Sequence, residues 1–173
     1  MKKLLLSAFV ICLAGTSIAQ ESPLWMRHCA LSPDGTTIAF TYKGDIYTVP
    51  STGGRATQIT TNPAFDTEPV WGPDSKQIAF ASDRMGSLDV FVVSSEGGAP
   101  QRLTTHSGSE KPVAYKDNKH ILFTANIAPS AEDAGFPSGQ FQQVYEVAVT
   151  GGRPAMFSSM PMECISINKE GVM

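Results

Sequence analysis

Three histidines, His28, His106 and His120, are the side chains best placed in pKa to act as general bases near neutral pH. His28 precedes a predicted strand and His106 follows one. His120 sits inside a repeated block, at a position where the other copies carry Thr37 and Gln77. A base that a reaction depends on would not stand where copies of one unit vary, so a structural role is expected for all three. The GxSxG nucleophile elbow, HExxH, the P-loop and GxGxxG are absent. A second polar cluster, Ser82-Asp83-Arg84-Met85-Gly86-Ser87-Leu88-Asp89, reads as a turn between strands. Its aspartates can accept backbone N–H bonds and Gly86 permits the bend. Arg84 is suited to pair with an acid or to hold a carboxylate ligand. Asp83 and Asp89 lack the run of oxygen ligands that a calcium loop needs. The residues therefore predict no catalytic group, no cofactor-binding group and no metal ligand, and no cofactor is expected.

The elements that hold these residues repeat. Ser32-Pro33-Asp34-Gly35 leads into Thr36-Thr37-Ile38-Ala39-Phe40. Gly72-Pro73-Asp74-Ser75 leads into Lys76-Gln77-Ile78-Ala79-Phe80. Tyr115-Lys116-Asp117-Asn118 leads into Lys119-His120-Ile121-Leu122-Phe123. The three aspartates are 40 and then 43 residues apart. A second block follows in register: Asp45-Ile46-Tyr47-Thr48-Val49 before Gly53-Gly54, Asp89-Val90-Phe91-Val92-Val93 before Gly97-Gly98, and Gln143-Val144-Tyr145-Glu146-Val147 before Gly151-Gly152. Gln58-Ile59-Thr60-Thr61 and Arg102-Leu103-Thr104-Thr105 close the first two copies, and Ala155-Met156-Phe157-Ser158 more loosely the third.

Pro-Asp-Gly suits a tight turn, the apolar runs are rich in β-formers, and Gly-Gly supplies a hairpin. Each copy thus predicts four short strands, and four strands per ~40 residues is the pattern of a propeller blade. The expected fold is all-β: an incomplete β-propeller of four-stranded blades, about three plus the start of a fourth. The copies span approximately 25–61, 67–105 and 110–158, with a truncated copy from 163. Phe40, Phe80 and Phe123 should pack between blades, as should Trp25 and Trp71. Met156, Met160 and Met162 also read as packing residues. Cys29 and Cys164 fall in different copies and are expected to be buried, unbridged thiols. The third copy is longer, and the extra residues within 126–141 should project from one rim. Lys116 in place of proline, and Asn168-Lys169-Glu170 in the fourth copy, leave those turns less well specified.

Composition sets the outer limits. The chain has 173 residues and a formal charge of −3, from 13 basic and 16 acidic residues. No Lys/Arg cluster is present to meet nucleic-acid phosphates, so a nucleic-acid partner is not expected. There are three cysteines and no CxxC, which argues against a cysteine-based zinc site or a disulfide scaffold. Lys2 and Lys3, the apolar run Leu4 to Ala14 and Ser17-Ile18-Ala19 follow the pattern of a secretory signal peptide over 1–19. The mature chain, 20–173, would begin at Gln20, outside the cytoplasm and with no membrane anchor. Three blades and a part cannot close a ring of ~4–8 blades, so the segment is expected to be the N-terminal piece of a larger protein.

Ser32-Pro33-Asp34-Gly35, Ile78-Ala79-Phe80-Ala81-Ser82-Asp83-Arg84 and Asp89-Val90-Phe91-Val92 resemble the TolB-like and WD-like repeats of propellers in TolB and in tricorn-type peptidases. Pro23-Leu24-Trp25-Met26-Arg27 after a leader, Ala39-Phe40-Thr41-Tyr42-Lys43-Gly44-Asp45-Ile46-Tyr47, and Phe136-Pro137-Ser138 before Val144-Tyr145 are similar to exported bacterial tricorn-type serine peptidases. That resemblance implies propeller modules, a PDZ-like domain and a C-terminal serine peptidase domain, with the propeller guiding or screening peptides. It implies as partners peptide substrates, the remaining blades and C-terminal domains, and self-association. None of the family's catalytic residues falls within this chain. A non-enzymatic TolB-like binding propeller and the propeller of a prolyl-oligopeptidase-type hydrolase are the alternatives.

Overall fold

The computed structural model describes residues 25–126 and 142–158. They form twelve strands in three four-stranded antiparallel sheets, each a simple meander. The first blade holds β1 (Arg27–Leu31), β2 (Thr37–Tyr42), β3 (Asp45–Pro50) and β4 (Thr57–Gln58). The second holds β5 (Asp66–Trp71), β6 (Gln77–Ser82), β7 (Asp89–Ser94) and β8 (Gln101–Arg102). The third holds β9 (Glu110–Tyr115), β10 (His120–Ala125), β11 (Gln143–Ala148) and β12 (Ala155–Ser158). The sheets are all-β and unclosed, as an incomplete propeller requires.

The repeated aspartate makes the first turn. Asp34 Oδ1 accepts from the Ser32 hydroxyl at 2.6 Å and the Thr36 amide at 2.9 Å. Asp74 Oδ1 accepts from the Lys76 amide at 3.0 Å. Asp117 Oδ1 accepts from the amides of Lys119 and His120, both at 2.7 Å. The third turn therefore closes without its proline, because the carboxylate supplies the acceptor in every copy. The returning hairpin needs glycine: Gly53, Gly97 and Gly151 have φ of 86°, 89° and 82°. Each donates its amide to the carbonyl three residues back, at 2.8 to 2.9 Å.

The Ile-Thr and Leu-Thr runs, expected as the fourth strands of the first two blades, lie just beyond β4 and β8, whereas β12 spans the whole of Ala155–Ser158. β4 and β8 are two residues long. Beyond them the Thr60 hydroxyl accepts the Ile46 amide, and the Thr104 hydroxyl the Val90 amide, both at 2.9 Å. A side chain thus replaces a ladder carbonyl, and the backbone is released toward the next blade. The first strands carry bulges, and His28 and Glu68 occupy equivalent bulge positions with φ of 51° and 54°.

Two apolar seams hold the blades together. Ala39, Ile46 and Ile59 of the first blade meet Trp71, Ile78, Phe80, Phe91 and Val93 of the second. Ala79, Val90, Val92 and Leu103 of the second meet Tyr115, Ile121, Phe123, Ala125, Tyr145 and Val147 of the third. The same cross-strand aromatic pair recurs in each sheet: Phe40–Tyr47, Phe80–Phe91 and Phe123–Tyr145, with centroids 5.8 to 5.9 Å apart. Phe80 and Phe123 sit wholly inside the seams.

Three packing expectations are corrected. Trp25 is 73% exposed and lies outside both seams, with the Arg27 guanidinium 5.3 Å from its ring. Cys29 is exposed, because of the β1 residues only Ala30 packs against the seam. Met156 is 42% exposed on the outer strand β12. Met160, Met162, Cys164, the leader at 1–19, the insertion within 126–141 apart from Asn126, and the truncated copy from 163 lie outside the described residues.

Candidate functional site

A meander places the β1–β2 and β3–β4 turns of each blade at one rim, and the β2–β3 and inter-blade connections at the other. Both rims carry polar groups at the seams.

At the inter-blade rim the backbone itself staples neighbouring blades. The Asp66 amide donates to Gly44 O and the Glu110 amide to Leu88 O, both at 2.7 Å. Each places a wholly buried carboxylate at a seam. Asp66 is met by Arg84, whose Nη2 lies 2.9 and 3.0 Å from its two oxygens. The Ser82 hydroxyl accepts from Arg84 Nε at 2.8 Å, and the guanidinium lies 4.5 Å from the Phe91 centroid and 5.5 Å from Phe80. Burial, and next the Asp66 carboxylate, push the Asp45 carboxyl upward. Among the described residues Glu110 meets no arginine, and neither of its buried carboxylate oxygens makes a hydrogen bond of good geometry. Burial pushes its carboxyl up, the nearby Thr104 hydroxyl opposes this, and the Asp89 carboxylate adds to it. Asp89 itself is ion-paired to Arg102 at 2.8 Å. Asp83 accepts the Phe65 amide at 2.7 Å. Asp83 and Asp89 thus have protein partners of their own, and no cluster of three metal-ligating groups occurs among the described residues.

The histidines are not brought together. His28 is exposed in the β1 bulge. His106 Nδ1 accepts the Gly108 amide at 3.0 Å, and His120 Nδ1 lies 3.1 Å from both Asp117 oxygens.

At the turn rim a groove of about 390 Å³ opens between the first and second blades. Trp71, Ile59 and Val49 contribute apolar surface. Hydroxyls of Thr36, Thr57 and Ser75 line it, and Asp34, Arg55 and Glu96 supply its charges. The Trp71 indole donates to Ala30 O at 3.0 Å, and Ser75 Oγ accepts the Asp34 amide at 3.3 Å, so both blades fix the groove's shape. The Ser32 hydroxyl, then the Thr36 amide and hydroxyl, hold the Asp34 carboxyl below its ordinary range. Sequence reasoning passed over Arg55 and Thr57. The signal was present: beside the constant Gly-Gly, these positions change to Ala99 and Gln101 in the second copy.

Comparison with known proteins follows the same architecture. The model of the tricorn protease N-terminal beta propeller domain matches residues 23–173. Tricorn protease homolog 1 of Streptomyces coelicolor is 38% identical over 77 residues, covering 44% of this chain and 7% of that protein. Peptidase YuxL of Bacillus subtilis is 31% identical over 108 residues, covering 56% of this chain and 16% of that protein. Among solved structures, a TolB from Agrobacterium tumefaciens superposes with a TM-score of 0.60 at 26% identity, over 76% of this chain and 47% of that one. A tricorn protease crystal structure does so with a TM-score of 0.54 at 17% identity, over 83% and 16%. The chain thus spans less than a fifth of the two curated relatives named here. No helix among the described residues is long and apolar enough to cross a membrane.

Proposed function

This chain belongs to the tricorn protease N-terminal beta propeller domain family, and from that premise we propose that it guides or screens peptides for a serine peptidase domain carried elsewhere in the same polypeptide. The single observation that carries the reading is the family match over 23–173, joined to an aligned stretch that is only 7% of tricorn protease homolog 1. The described residues fit a non-catalytic part: the histidines are dispersed and the buried carboxylates serve the seams. A propeller beside a catalytic domain acts by restricting which chains reach it, a role that needs shape and rim chemistry but no nucleophile. The proposal includes export: the leader 1–19 is removed and the mature protein, from Gln20, works in the periplasm or outside the cell.

The test compares the full-length parent enzyme with a version lacking residues 20–173. Cleavage of a short unstructured peptide should persist in both, while the size discrimination between short peptides and long or folded substrates should shrink at least tenfold on deletion. Equal discrimination in both would overturn the screening role. N-terminal sequencing of the exported protein should read Gln20 first. The 26% identity to a TolB structure favours one second reading, a non-enzymatic binding propeller. That reading predicts a parent gene with no peptidase domain at all.

A further inference from the structure

We propose that the groove between the first and second blades is a binding site for short peptides with free termini, about three to four residues long. It deepens the peptide-handling reading above and rests on it for its biological sense, but its geometry stands apart.

The two seams carry equivalent residues at the outer side of this rim, yet among the described residues only the second is bridged there. At the seam between the second and third blades, Gln101 Nε2 donates to Thr150 O at 3.0 Å, across the gap. The equivalent residue at the first seam is Thr57, whose side chain is two atoms shorter and cannot make that span. Thr57 instead lines the open groove, with Glu96, the counterpart of Thr150, on the facing blade. The neighbouring position is Arg55 at the first seam and Ala99 at the second. The first seam has therefore exchanged a bridge for a cation.

The groove's charges lie at separate places along it. Asp34 is on the β1–β2 turn, at the inner side of the sheet, and Arg55 lies just before β4, at the outer side. Two to two and a half strand spacings of ~4.8 Å separate those positions, about 10–12 Å. An extended chain covers ~3.3–3.6 Å per residue, so three residues fit that distance and four fit with the reach of the charged side chains. Asp34 is held ionised by its turn, with Oδ1 taking all three of its hydrogen bonds as acceptor. Arg55 has no hydrogen-bond or ion-pair partner among the described residues and is exposed. An α-ammonium at Asp34 and an α-carboxylate at Arg55 would each meet an opposite charge. Between them Trp71, Val49 and Ile59 offer apolar surface and the hydroxyls of Thr36, Thr57 and Ser75 offer partners for peptide groups. A volume of about 390 Å³ lies within the ~300–1,000 Å³ usual for small-ligand sites.

The test titrates the full chain with tetra-alanine and with its N-acetylated, C-amidated form, by NMR shift perturbation. Saturable binding of tetra-alanine is expected, with shifts centred on Trp71 and Thr57, and at least tenfold weaker binding of the blocked peptide. Arg55→Ala should weaken tetra-alanine at least fivefold, and Thr57→Gln, which restores the bridging residue, should do so at least tenfold. Both sites are exposed, and unchanged melting of each variant confirms that the fold is intact. No saturable binding, or equal binding of free and blocked peptides, would overturn the proposal. Unchanged size discrimination in the parent enzyme on deletion of 20–173, with tetra-alanine still bound here, would sink the screening role and leave this site standing.

Discussion

The two seams are built from the same repeat and solve the same burial problem differently. At the first, the buried Asp66 meets Arg84 through both oxygens, and the Trp71 indole reaches Ala30 O. At the second, Glu110 replaces Asp66 without an arginine, and Tyr115 replaces Trp71 with a buried hydroxyl that has no partner. Desolvating a polar group costs free energy whether or not the fold returns a partner. The second seam therefore rests more on its apolar cluster, which is also the larger of the two, than on its polar groups. Apolar area can tolerate imperfect polar pairing nearby, whereas a seam with a buried ion pair depends on both members being present.

That contrast can be broken most strongly at the apolar cluster of the second seam. Phe123→Ala should lose about 3–5 kcal/mol of unfolding free energy in urea titration, because a fully buried ring leaves a cavity between sheets. Arg84→Met comes next, at about 3 kcal/mol, since it strands the Asp66 carboxylate in the first seam. Losses under 1 kcal/mol would mean that the pair is solvated and the seams are alike.

Two substitutions at the second seam should go the other way. Glu110→Gln removes a carboxyl whose folded pKa lies above its ordinary 4.5. A raised carboxyl is fully compatible with folding below the unfolded pKa, and its contribution is lost as pH rises through the folded value. The variant should therefore be more stable than the parent at pH 7 to 8, by on the order of 1 kcal/mol. The gap should close below about pH 4, as thermal melts across pH would show. Tyr115→Phe removes the unpartnered hydroxyl and should gain ~1 kcal/mol in the same urea titration. The smallest effect belongs to Lys111→Met, which cuts the half-exposed Lys111–Glu68 pair across the second seam. A loss within ~1 kcal/mol, shrinking further in high salt, is expected.

Much of this architecture is legible in the sequence. The register of Asp34, Asp74 and Asp117, the apolar triplets ending in Phe40, Phe80 and Phe123, and the Gly-Gly hairpins are local devices. Each works through its own few residues, so sequence spacing alone reveals it. Arg84 was legible as a cation in search of an acid, but its partner was not, because Asp66 lies 18 residues away and belongs to the inner strand. Trp25 and Trp71 looked alike as residue types. They part because only Trp71 ends a strand that faces another blade. Cys29 went wrong for the same reason, since burial at β1 depends on which neighbour covers it.

The groove was the least legible feature. Asp34, Trp71 and the neighbouring Arg55 and Thr57 come from three different elements, and nothing in the spacing of those elements joins them. The sequence by itself determined the repeat, the strands, the turns and the family, because those rest on short-range backbone preferences and on an apolar pattern recurring in register. Which carboxylate found an arginine, which ring stayed in water and which seam stayed open were decided only when the sheets stacked. Stacking brings together side chains from adjacent copies, and their fit depends on distances between sheets that no single copy encodes.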